Sequence, residues 1–340
     1  MKTSAAALIF FSLCMPLAVE ANPYLARPGE APAAVRVAAC AITGGFIHLY
    51  AALDYGLFDK YGVKVEFVSI RGSGVALAAL AADEIQFLYC AADATIPGVA
   101  AGSDARLIGS PLVGLPWVLL ARKDIRRPED LKGKSIAVTR AGDLTFRLAR
   151  ALLKKFNLSE SEVALRTVGG TGQVEPFNAM RAGIAEAALV TPPLDARGRR
   201  DGFNVVYRLN DLGVPAIYSS LHTNAKSLKE RPAVIQKWVG ALAESIHFVE
   251  KNPDKAKAAV SKALKLNDAE ALQSAYDAYA KLLVNRRLIV PEKSVAGVIE
   301  IAREQGTAVR RKAAEIIDNR FAEDLDKSGF LKELWGAEIR

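Results

Sequence analysis

The residues able to do chemistry in this chain gather where short apolar runs end. Arg71-Gly72-Ser73-Gly74 and, about one hundred positions later, Gly170-Thr171-Gly172-Gln173 each separate a β-branched run from a segment of helical period. Glycine lets the backbone turn sharply there, and the helix that follows leaves its first N–H groups unpaired with a partial positive charge, which suits an anion. Candidates of the same kind are Thr43, Gly44, Gly45 and Phe46, then Ala92, Asp93 and Thr95. Further along come Arg140, Gly142, Asp143 and Thr145, then Thr191 and Pro192. Taken singly, the glycines can merely make turns and the threonines merely cap helices; taken as a set, they describe a binding site. Arg71 and Arg140 each follow a strand directly, and a guanidinium can hold a carboxylate or sulfonate through two parallel N–H bonds, which lysine cannot do as a fork. A solvated loop arginine is the plainer alternative for each. Phe46 and Trp117 could stack on a flat ligand, although Trp117 after Pro116 suits packing near a hinge equally well. His48 falls inside the first helix, where a core or supporting role is expected rather than ligand contact.

Enzyme chemistry has little to work with. Gly72-Ser73-Gly74 begins a dinucleotide-type turn, but Leu77 stands where the third glycine belongs, and Asp93 lies beyond the wrong strand to hold a ribose. The chain contains no G-x-S-x-G elbow, no H-E-x-x-H pair and no C-x-x-C. Its three histidines, His48, His222 and His247, are not paired at metal spacing. No catalytic residue, metal or cofactor is therefore expected, and the discriminating observation would be turnover of a substrate by the protein alone.

These loops need elements that hold them in register, and the sequence supplies them twice. Ser69 to Tyr89 packs a strand end, a glycine turn, a helix and a second strand, and Val168 to Val190 repeats the arrangement, with Gly72, Ala79 and Ala82 matching Gly172, Ala179 and Ala182. Upstream, Val35 to Cys40 and Val63 to Ile70 match Lys134 to Thr139 and Val163 to Val168. Such alternation of β-branched runs with helical segments is the pattern of parallel α/β sheets, which bind ligands beyond the carboxyl ends of their strands. Two such edges facing each other would form a cleft. The charged stretch RKDIRRPEDLKGK from Arg122 reads as passage into a second domain, and Asn210 to Pro215 as a turn-rich return. The expected lobes are 34–121 with 216–340, and 122–215, hinged near Ala121 to Lys123 and Asn210 to Ala216. Beyond Ala225 the pattern is helical, with Pro232 and Pro253 at helix starts, and these helices are expected to pack on lobe one.

Length and composition agree: 340 residues, 51% hydrophobic and 24% charged, make an ordinary two-domain globular chain. Met1 to Ala21 reads as a secretory signal peptide, with Lys2, an apolar run from Ala5 to Val19, and Val19-Glu20-Ala21 for cleavage. That apolar run is short for a membrane anchor, and Leu13 before Cys14 is a poor lipid-attachment site. Asn22 to Ala34 is a flexible lead-in. Cleavage removes one base and one acid, so the net charge of +8 is unchanged. The bases are spread over amphipathic helices and the chain is exported, so nucleic acid is not an expected partner. Cys40 and Cys90 each end a predicted strand; export permits a disulfide, but two cysteines make no framework, and buried thiols are the expectation.

Four stretches in order resemble the substrate-binding proteins of nitrate, sulfonate and taurine ABC transporters, a group that includes thiamine-precursor binders. They are GGFIHLYAALDYGLFDKYGVKVEFV, the pair ALAADEIQF and AMRAGIAEAALVTPP, PEDLKGKSIAV, and RPAVIQKWVGALAESIHFVEKNPDKA. The resemblance implies a type II two-lobe periplasmic-binding-protein-like α/β fold. It also implies a monomer in the periplasm that closes on a small, anionic organic solute and hands it to a membrane permease with its cytoplasmic ATPase. The yeast-type pyrimidine synthase of thiamine biosynthesis shares the family's fold, but it carries a dense cysteine cluster absent here. A protein presenting ligand to a sensor kinase is the other alternative, which a neighbouring permease gene would disfavour.

Overall fold

The computed structural model describes residues 22–70, 72–141, 144–169 and 173–339, so the signal-peptide reading lies outside the described residues. Among the described residues, ten strands form two five-stranded sheets. The first takes β1 (Ala33–Ala39), β2 (Val63–Ser69), β3 (Phe87–Ala91) and β4 (Arg106–Gly109). The second takes β5 (Val118–Ala121), β6 (Ser135–Val138), β7 (Ala164–Thr167), β8 (Ala187–Val190) and β9 (Asn204–Arg208). After β9 the chain returns, and β10 (Ser219–Thr223) completes the first sheet. The spatial orders, β2-β1-β3-β10-β4 and β7-β6-β8-β5-β9, are the same arrangement used twice. In each, four strands point the same way, and the strand made by the chain as it arrives runs antiparallel to its neighbours.

The expected boundary after Ala121 is corrected by β5. Val118–Ala121 is hydrogen-bonded between β8 and β9, so the chain leaves the first sheet after β4 and crosses through 110–117. The charged segment that reads as a linker is a surface loop past β5. An apolar run buried on both faces looks the same whichever sheet receives it, which is why composition pointed one strand too far along.

The return crosses through 209–218, and a third segment joins the two crossings. Val113 N–H donates to Leu283 O at 2.9 Å, Asn285 N–H to Pro111 O at 2.8 Å, and on the other side Gly114 N–H to Ala216 O at 3.1 Å. Gly114 has φ +109°, and a Cβ there would lie 2.5 Å from Asn210 Oδ1 and 2.8 Å from Leu283 Cδ2, so the ribbon needs glycine.

The C-terminal helices belong to the core of the first sheet. Helix Pro232–Lys251 starts with proline in its first turn, where no N–H is lost from the helix ladder, and buries Ile235, Trp238, Val239, Leu242, Ile246 and Val249 at helical spacing. Trp238 stacks on Phe87 with ring centroids 4.2 Å apart and on Phe58 at 6.4 Å. His48 and His222 are fully buried in the same lobe, and burial pushes their pKa values down to about 3 and about 4. The second sheet is covered by its own helices, Leu144–Lys155 on one face and Val174–Arg181 on the other.

Candidate functional site

The parallel strands of each sheet end in loops that start helices, and those loops make two walls. On the first wall, β1 runs into Thr43, whose Oγ1 accepts the Gly45 N–H at 3.4 Å while its own N–H donates to the Tyr50 hydroxyl at 3.2 Å. Gly44 and Gly45 are there for close approach. A Cβ on Gly44 would lie 3.2 Å from Ala275 Cβ and 3.3 Å from the Tyr279 ring, and one on Gly45 would overlap the Tyr218 ring. Tyr218 and Tyr279 stack with centroids 5.6 Å apart. Burial raises the phenols of Tyr50, to about 12, and of Tyr89, Tyr218 and Tyr279, so all four stay neutral near physiological pH. Sequence reading passed over these tyrosines, two of which arrive from beyond residue 215; only the aromatic spacing after the return could have hinted at them.

Asp93, in the first turn of helix Ala92–Ala101, brings a carboxyl group to this wall. Burial raises its carboxyl pKa, against the opposing pull of the Arg147 guanidinium from the second lobe and of backbone N–H groups at the helix start. Thr95 is turned away: it is fully buried and donates to Ala91 O at 3.1 Å. Phe46 is likewise packed inside, at 1% exposure against Tyr89 with centroids 4.6 Å apart, so it is a core ring and not a stacking platform open to solvent. His48 packs in the core, as expected for a residue inside the first helix. Gly72 and Gly74 are exposed, Ser73 is half-buried, and Gly72 has φ +101° with open space where a Cβ would go.

On the second wall, Thr145 Oγ1 accepts the Thr139 N–H at 3.0 Å and lies 2.8 Å from Thr139 Oγ1, closing the loop after β6. Arg147 sits on the helix that this loop starts. The Gln173 amide grips the loop after β8: Nε2 donates to Thr191 Oγ1 at 2.6 Å, and Oε1 accepts the Thr191 N–H. Arg140 is exposed just after β6. Arg71, Gly142, Asp143, Thr171 and Gly172 lie outside the described residues. Trp117 is on the first crossing, 8% exposed, and packs with the second lobe's core.

The two walls are tied together and one of them is cross-linked. Tyr279 donates to Pro192 O at 3.0 Å, and Ser274 on helix Ala269–Tyr276 donates to both oxygens of the buried Asp195 at 2.7 and 2.8 Å. Arg199 pairs with Asp195 at 2.8 Å and with Glu270 at 3.3 Å, and Arg200 pairs with Asp268. Cys40 and Cys90 form a disulfide with Cα atoms 5.2 Å apart. This corrects the expectation of thiols. Because β1 and β3 are parallel neighbours with Ala39 opposite Tyr89, the next residues of each strand meet.

Among the described residues no group of His, Cys, Asp and Glu could hold a metal ion, and no helix is long and apolar enough to cross a membrane. The family model described as NMT1/THI5 like matches residues 44–256. No curated protein matches the chain in sequence. Among solved structures, it is similar to the periplasmic aliphatic sulphonate binding protein SsuA from Escherichia coli, at 18% identity and TM-score 0.68 over 84% of this chain and 91% of that one. A putative periplasmic sulfonate-binding protein SsuA from Methylobacillus flagellatus KT is 17% identical, with TM-score 0.68 over 90% of this chain and 97% of that one. The alkanesulfonate-binding protein SsuA from Xanthomonas axonopodis pv. citri, bound to MOPS, is 17% identical, with TM-score 0.63 over 85% and 99%. The fold is thus that of a two-lobe periplasmic binding protein.

Proposed function

The chain belongs to the NMT1/THI5-like family, and from that membership and its two facing walls we propose that it is the solute-binding component of an ABC importer. In this reading it is exported through residues 1–21, works as a monomer without catalysis, and binds a small organic solute bearing an anionic group. It then delivers the solute to a permease driven by a cytoplasmic ATPase. The observation that supports the proposal is the doubled strand order, since sheets of this kind bind ligands beyond the carboxyl ends of their strands, together with the pull of Arg147 in the second lobe on Asp93 in the first. Helices start at Ser73, Leu144 and Val174, after these strands, and their N–H groups, with Arg71 and Arg140, are the proposed ligands of the anion. The sulfonate-binding proteins that share the fold support a sulfonate or carboxylate as the head group.

The test is a panel of small sulfonates, carboxylates, nitrate and thiamine-type pyrimidines on refolded, ligand-free protein. A true ligand at about a hundred times its dissociation constant stabilises the fold by about 2.7 kcal/mol, a shift of several degrees, and makes the scattering profile more compact. Arg140→Ala should weaken its binding roughly ten- to a hundredfold while leaving the ligand-free melting point in place. No shift across the panel, with unchanged scattering, would sink the proposal. Unchanged affinity in both Arg71→Ala and Arg140→Ala would sink its anionic half and pass the site to the phenols of Tyr218 and Tyr279.

A further inference from the structure

The segment that touches the Gly44 loop has a second face. Ala275 and Tyr279 approach Gly44, and the Tyr279 bond to Pro192 closes the gap between the lobes at that point. Behind this contact, on the hinge side, Ser274, Asp277 and Ala278 face Trp117, Arg208 and Asn210 around a cavity of about 520 Å³ that Pro192 also borders, within the range of small-molecule sites.

The polar groups of this cavity are unevenly used. Every carboxylate in its wall already has a donor: Asp195 has Arg199 and Ser274, Glu270 has Arg199, and Asp277 has Lys281 at 2.7 Å and Gln273 at 3.0 Å. Three donors are left over. Among the described residues, the Arg208 guanidinium and the indole N–H of the nine-tenths buried Trp117 have no hydrogen-bond partner. Asn210 spends its Oδ1 on the Leu115 N–H at 3.1 Å, which leaves its Nδ2 without one as well. Beside these donors lie Pro116, Val205 and Leu282, an apolar surface fit for a ring or short alkyl chain. Spare donors next to apolar wall select an anionic head on an apolar body.

We infer that this hinge-side cavity is a second binding site, distinct from the gap between the strand ends, for a small carboxylate or sulfonate with an aromatic or alkyl body. Arg208 and Trp117 hold the head group. One side of the cavity, with Arg208 and Val205, moves with the second lobe, and the other, Ser274 to Leu282, is joined to the first; an occupant that fits one lobe angle better shifts the population toward it.

Benzoate is the probe, with benzyl alcohol as its uncharged counterpart, read by tryptophan fluorescence and calorimetry. Trp238 and Trp335 are packed in the first lobe's core, so the signal belongs to Trp117 and disappears in Trp117→Phe. Benzoate should bind saturably, and benzyl alcohol and the Arg208→Gln variant should each bind roughly ten- to a hundredfold more weakly. Arg208 is exposed and without partners, so the variant's fold is not at stake. Arg140→Ala, altered in the other compartment, should bind benzoate as the parent does. The inference is overturned by the absence of saturable benzoate binding, by unchanged affinity in Arg208→Gln, or by a loss in Arg140→Ala equal to that in Arg208→Gln. Failure of the first two kinds leaves the ligand panel untouched, whereas a loss in Arg140→Ala would assign benzoate to the main gap and support the reading proposed above.

Discussion

The two lobes share a strand order but hold their ligand loops in different ways. In the first, the ends of β1 and β3 are joined covalently by Cys40 and Cys90, and the loop beyond is wedged by Tyr218 and Tyr279. At the matching places of the second lobe stand Thr139 and Val190, and the loops there are closed by side-chain hydrogen bonds, Thr145 to Thr139 and Gln173 to Thr191. The first lobe also carries the C-terminal helices on its core, while the second has only its own. In the proposed role, one architecture thus gives a fixed wall and an adjustable one: covalent and aromatic packing set position before a ligand arrives, whereas hydrogen bonds to threonine can be exchanged for bonds to a solute.

Acid should expose the contrast most strongly. His48 and His222 are buried neutral in the first lobe only, and the unfolded chain takes up their protons near pH 6.5 whereas the folded one resists to about 3 and about 4. Their contribution is complete above pH 6.5 and is lost as pH falls, at about 1.4 kcal/mol per unit for each, or about 6 kcal/mol for the pair by pH 4. Melting points measured from pH 7 to 4 should drop steeply; a flat profile would remove this asymmetry. Next in size is the cross-link. Its 50-residue separation implies about 4 kcal/mol from restricting the unfolded chain. Urea unfolding of the Cys40→Ser, Cys90→Ser double variant should show that loss, and an unmoved midpoint would mean that packing alone fixes the first wall. The smallest effect belongs to the second lobe. Thr145→Val leaves the Thr139 N–H without its acceptor and should cost about 1 to 3 kcal/mol. Amide exchange should speed up around Thr139 and leave Cys40 and Cys90 unaffected; equal changes in both lobes would contradict the independence of the two walls.

The repeat made most of this architecture readable. Gly72 with Gly172, and the apolar runs that precede them, located three parallel strands in each sheet, because a glycine turn between a β-branched run and a helical period is a local signal. What escaped was long-range. Val118–Ala121 has no feature that says which sheet it joins. Tyr279 reaches Gly44 across more than two hundred residues, and no local pattern announces a contact of that separation. The cysteines lie between these cases: once β1 and β3 are taken as parallel neighbours, Cys40 and Cys90 fall side by side, but two cysteines without that topology remain two thiols. Phe46 and Thr95 show the opposite failure. Both lie on loops that the sequence marks as candidates, yet the chain turns their side chains inward.

The three paired segments at the hinge bear on how many ways the molecule can move. Two strands linking two bodies can roll about each other, slide, or flex. Here 110–114 is hydrogen-bonded on one edge to 216–218 and on the other to 283–285, so sliding or rolling must break bonds on both edges while flexing across the ribbon breaks none. Of the several rigid-body coordinates available to two lobes, the ribbon leaves a single soft one. If the lobes close on a solute as proposed, the first wall should meet the second along one arc, and the solute should be sampled in one reproducible approach instead of a search over orientations.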